Sequence, residues 1–121
     1  MKKIYTTACL LLTLGAPVLL AQNVVANEAA LHSRVTSLSR RIAETAKLSE
    51  GQYVRVKRLN LVMMSEMETI KARFAAEPVK MDEQLAELQA RYDWDLAAVL
   101  QPRQLAAYNE AKISTVAVNA Q

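Results

Sequence analysis

The chain has 121 residues, with two Gly and three Pro. So few turn formers exclude an all-β sandwich or barrel, which needs a turn roughly every 8–12 residues, and they exclude collagen-like and low-complexity classes as well. The formal charge is +3, but Lys2 and Lys3 lie in an apparent leader, and without them 13 cations face 12 anions. A balance so near neutrality gives no bulk attraction toward nucleic acid.

The leader comes first. Met1, Lys2 and Lys3 form a short basic head, followed by an apolar stretch from Ala8 to Leu20 that is broken only by Thr13, Gly15 and Pro17. A spanning helix needs roughly 18 or more apolar residues, so this run reads as the apolar region of a signal peptide. Val24-Val25-Ala26 offers a small residue before a cleavage point, placing the signal peptide at 1–26 and a mature chain at 27–121. Cleavage after Ala21 is the alternative. The one Cys, Cys9, falls inside the leader. The mature chain then has no thiol for a disulfide or a thiolate metal site, and the expected location is the periplasm.

The mature chain has helical periodicity from end to end. Leu31, Val35, Leu38 and Ile42 recur at spacings of three and four residues, which puts them on one face of a first helix over 27–47. Asn27 is a suitable cap for it. Next comes Leu48-Ser49-Glu50-Gly51-Gln52, in which Ser49 and Gln52 have the spacing of a capping box and Leu48 with Tyr53 that of a hydrophobic staple. The second helix is expected to about 76, with Val56, Leu59, Met63, Met67, Ile70 and Phe74 as its stripe. Pro78 stops it and opens a third helix to about 100, striped by Met81, Leu85, Leu88, Tyr92, Leu96 and Val99. Leu100-Gln101-Pro102-Arg103-Gln104 repeats the punctuation. Pro102 suits the first helical position and Gln104 the third, although Gln101 is a poor cap. The fourth helix, with Leu105, Tyr108 and Lys112, is expected to end near 114, leaving 115–121 to fray. The fold class is therefore all-α: four helices in one domain. The short connections imply antiparallel neighbours, and the thin core favours pairing into a homodimer.

The two marks of form L-x-x-x-Q, carried by Leu48, Ser49 and Gln52 and by Leu100, Pro102 and Gln104, resemble those of the Spy/CpxP (LTXXQ-motif) family of periplasmic proteins. The stretch from Val99 to Lys112 is the most similar part. The first mark has Ser49 where the family has Thr, which keeps the cap chemistry; the second has Gln101, which does not. The resemblance implies a long antiparallel helical hairpin with flanking helices, a cradle-shaped dimer, and ATP-independent chaperone or stress-modulating activity.

The residues offer little for catalysis. His32 is the one His, and no nucleophile elbow, P-loop or dinucleotide fingerprint occurs. No enzymatic role and no cofactor are expected. His32 with Glu28 cannot complete a tetrahedral metal site within one subunit. Met63, Met64 and Met67 would suit Cu(I) as a thioether trio, but two of them lie in the stripe, where Met fills gaps. No metal site is expected.

The stronger signal lies off the stripes. At about 100° per residue, Val54 and Leu61 fall opposite Val56 and Met63, with Met64 between, and Arg55, Lys57 and Arg58 are interleaved. On the third helix Trp94 falls opposite Leu85 and Tyr92, among Ala86, Ala90 and Ala97. A helix apolar on two sides must bury both or use one. One reading covers these second faces with the outer helices and a dimer mate. The other makes Val54, Arg55, Lys57, Arg58, Leu61, Met64 and Trp94 a surface for unfolded or partly folded envelope proteins. The expected function is accordingly chaperone-like binding of polypeptides, with a metal-stress protein or a docking module for one envelope partner as alternatives. No nucleic acid and no membrane span are expected of the mature chain.

Overall fold

The computed structural model describes residues 16–119, with side chains described over 24–118. Four helices follow one another: α1 (Ala16–Ala46), α2 (Glu50–Arg73), α3 (Pro78–Val99) and α4 (Pro102–Asn119). The all-α fold is as the periodicity requires. The boundaries differ at both ends. α1 starts at Ala16, eleven residues before the expected 27; Pro17 falls in its first turn, where Pro is tolerated, and no Gly or further Pro interrupts it before Ala46. Residues 1–15, with Cys9 and the basic head, lie outside the described residues.

At the other end α4 runs to Asn119, past the expected stop near 114. Its hydroxyl residues bond within the helix instead of breaking it: Ser114 Oγ donates to the Glu110 carbonyl at 3.0 Å and Thr115 Oγ1 to the Ala111 carbonyl at 2.9 Å. Val116 also lines a groove between α4 and α1, together with Leu38, Ile42 and Tyr108. These hydroxyl bonds accompany the helix through a segment whose β-branched residues are weak helix formers and whose side chains from 112 to 118 are all exposed.

Each connection is set by local chemistry. α1 closes with Lys47 in the left-handed region (φ 55°) and the Leu48 N–H donating to the Ala43 carbonyl at 3.1 Å, the bonding pattern of a Schellman end. Ser49 then caps α2 with a complete capping box: its hydroxyl accepts from the Gln52 N–H, and its own N–H donates to the Gln52 side chain. α2 stops at Arg73, three residues short of the expected end, with Phe74 as its C-cap. Pro78 sits in the first turn of α3, where its missing N–H costs nothing.

Side-chain pairs give the directions. Arg34 meets Glu68 at 3.3 Å and Asn60 meets Ser39, so α1 and α2 run antiparallel. Arg91 meets Glu66 at 2.9 Å and Tyr92 meets Asn60, so α2 and α3 do as well. α4 returns along α1 and is tied to α3 by Lys112 and Asp93 at 3.8 Å. The buried core draws on every expected stripe: Val35 and Ile42 from α1, Val56 and Met63 from α2, and Leu88, Tyr92 and Leu96 from α3, with Leu100 just beyond it. Leu105 and Tyr108 of α4 pack against this cluster.

Two polar constructions join the helices. The first is buried. Tyr92 Oη donates to Asn60 Oδ1 at 2.5 Å, Asn60 Nδ2 donates to Ser39 Oγ at 2.9 Å, and Ser39 Oγ donates to the Val35 carbonyl at 2.7 Å. The relay crosses three helices, and both Asn60 and Ser39 are fully buried. The second lies where α2 and α4 begin. Gln52 and Gln104 form a reciprocal amide pair, with Nε2-to-Oε1 distances of 2.7 and 3.0 Å. Gln52 also donates to the Val99 carbonyl at 3.1 Å and Gln104 to the Lys47 carbonyl at 3.2 Å. Each amide oxygen accepts from its own helix start as well, Gln52 from Ser49 N–H and Gln104 from Gln101 N–H at 2.9 Å. The two marks singled out in the sequence therefore clasp one another, and Leu48 and Leu100 seat both loops on the core.

Candidate client-binding surface

The outer face of α2 is one of several that leave apolar side chains in water. Val54 is 56% exposed, and Val62, four residues before Glu66 on the side toward α3, is 51% exposed. Arg55 and Arg58 stand exposed beside them. Neither has an ion-pair partner among the described residues, whereas Arg34, Lys80, Arg91 and Lys112 all do. Two free guanidinium groups among valines form an amphipathic strip that attracts anions and offers them apolar area.

The expected surface is only partly of this kind. Val54, Arg55 and Arg58 are exposed as expected, and Trp94 on α3 is 79% exposed. Lys57 and Leu61 are half-buried. Met64 belongs elsewhere: it packs against the core cluster beside Met63 and Met67. The reason is azimuth. Met64 follows Asn60 by four residues, and Asn60 is the inward pole of α2 here. The stripe expected from Val56, Leu59 and Met63 was centred too far to one side, because an Asn was not counted as core.

Val62 was missed for the same reason. Rotating the stripe toward Asn60 turns Val62 outward, and its place seven or eight residues after Val54 and Arg55 was the available signal. Exposed Val79 on α3 and Ile113, Val116 and Val118 on α4 were not singled out either.

No three His, Cys, Asp or Glu side chains converge on a metal site among the described residues. His32 is exposed on α1, and the methionine sulfurs belong to a packed cluster. Burial raises the Tyr92 hydroxyl well above its ordinary pKa, with Tyr108 and Asp93 adding to the effect. Burial also raises Tyr108, with Asp93 again adding. Both phenols are thereby held neutral, Tyr92 as a buried hydrogen-bond donor to Asn60 and Tyr108 packed at the edge of the core cluster. No described helix is long and apolar enough to cross a membrane.

No family model, no curated protein and no solved structure matches the chain.

Proposed function

We propose that the chain is a Spy/CpxP-like periplasmic chaperone that holds unfolded polypeptides without nucleotide, exported by the leader at 1–26. The observation that carries the reading is the outer face of α2, where Val54 and Val62 stand in water beside Arg55 and Arg58, cations that no described side chain neutralises. Such a face binds by burial of apolar area at about 25 cal/mol per Å², and an exposed guanidinium adds weakly to each anionic contact. Weak, additive contacts of this kind suit clients that have no fixed shape. The small core favours pairing with a second copy of the chain, so the working unit is a dimer that leaves these faces open.

The test is suppression of aggregation of a reduced, unfolding client by the mature chain without ATP. Protection at a few-fold molar excess is the expected result, weakened by salt and by Arg55→Ser with Arg58→Ser. Absence of protection at every ratio would overturn the reading. Sedimentation at micromolar concentration checks the dimer, and a folded, purely monomeric species throughout would exclude it.

A further inference from the structure

The outer face of α3 carries the opposite charge to that of α2. Along it, Val79, Glu83, Glu87, Ala90, Trp94 and Ala98 recur at spacings of three and four residues, and all six are exposed. Trp94 is the one Trp of the chain, and at 79% exposure its indole rests in a shallow hollow with Glu87, Ala90, Arg91 and Asp95. An indole left in water among alanines is a large apolar area that folding has not used.

Charge narrows what this face can take. α3 carries Lys80 and Arg91 against Asp82, Glu83, Glu87, Asp93 and Asp95. Both cations are engaged, Lys80 with Glu77 and Arg91 with Glu66, each at 2.9 Å. Asp93 faces Lys112, but Glu83, Glu87 and Asp95 have no ion-pair partner among the described residues. Glu83 and Glu87 are also a like-charge pair one turn apart, which destabilises an isolated helix. A cation laid along this face relieves that repulsion, and over the indole it gains a cation–π contact.

We infer that the Trp94 face of α3 binds basic apolar segments of unfolded polypeptides, as a second client surface complementary in charge to the Arg55–Arg58 face of α2. This rests on the reading of the protein as a polypeptide holder. It extends the range of clients to cationic stretches, which α2 would repel.

The indole itself is the probe. The full mature chain is titrated with an unstructured peptide of Lys, Leu and Ser, and with its counterpart carrying Glu for every Lys. The Lys peptide is expected to shift Trp94 emission to the blue with saturation, and the Glu peptide is not. With a labelled Lys peptide followed by anisotropy, Glu83→Gln with Glu87→Gln is expected to weaken binding about fivefold, in line with two exposed charge contacts, and Trp94→Ala about tenfold. Because these positions are exposed, both variants should melt as the parent does. Unchanged Trp94 emission with the Lys peptide, while the chain still suppresses aggregation, would overturn this inference and leave the parent reading standing. An emission shift that follows protein concentration and sedimentation without peptide would also overturn it, by assigning the face to a second copy. Saturable binding of the Lys peptide at Trp94 in a chain with no aggregation suppression would support the face and sink the parent reading.

Discussion

Tyr92→Phe isolates one hydrogen bond in the core without changing its shape. The phenol is 5% exposed and donates to Asn60 Oδ1, the only bond described for that oxygen. Removing the hydroxyl leaves a buried amide oxygen with no donor, which costs about 1–3 kcal/mol. No cavity adds to this beyond the volume of one oxygen. Against a total stability of about 5–10 kcal/mol for a domain of this size, and a urea slope of about 1–1.5 kcal/mol per M, a loss near 2 kcal/mol moves the midpoint down by about 1.5 M. Asn60→Leu with Tyr92→Phe removes both partners and should recover much of the loss, because no orphaned acceptor is left in the pair. Alkali supplies an independent reading. The Tyr92 and Tyr108 hydroxyls are both raised above the ordinary value of 10.0, so the folded state holds its phenolic protons where the unfolded chain releases them. Their contribution is complete below pH 10 and is lost as pH rises above it, and Tyr92→Phe should flatten that decline, leaving the share of Tyr108. Urea unfolding followed by far-UV circular dichroism, at pH 7 and pH 10.5, gives both numbers. A Tyr92→Phe midpoint within about 0.2 M of the parent at pH 7, with the slope unchanged, would refute the relay as a stabilising element.

The Gln52–Gln104 clasp should behave as a unit. Gln52→Ala and Gln104→Ala should each cost about 1–3 kcal/mol, and the double variant should cost less than their sum, with a coupling of at least about 0.5 kcal/mol in a double-mutant cycle. Lys47 adopts φ 55° at the end of α1, where a side chain other than Gly is disfavoured by about 1 kcal/mol, so Lys47→Gly should raise the melting temperature by a few degrees. Val54→Ser with Val62→Ser should stay within about 0.5 kcal/mol of the parent because both are exposed, yet reduce aggregation suppression. Met64→Gln should cost more than about 1 kcal/mol, since it inserts an amide against the core cluster.

The helices and their punctuation could be read directly. Ser49 with Gln52, Pro78 and Pro102 act within one turn of themselves, so their chemistry is complete in a few residues of sequence. Stripes such as Leu88, Tyr92 and Leu96 are buried because a three-to-four spacing puts them on one face whatever the neighbour is. What the neighbour is could not be read. Asn60 has the same local pattern whether it faces water or Tyr92, and its burial depends on a hydroxyl 32 residues away. That one placement turned α2 enough to bring Met64 in and send Val62 out. The clasp joins glutamines 52 residues apart, each of which reads alone as a cap for its own helix. Local spacing determines where a helix forms and roughly which side is apolar. The rotation of that helix, and so which polar groups meet in the core and which apolar ones remain in solvent, is decided by helices brought together across the chain, because only there do buried donors find acceptors.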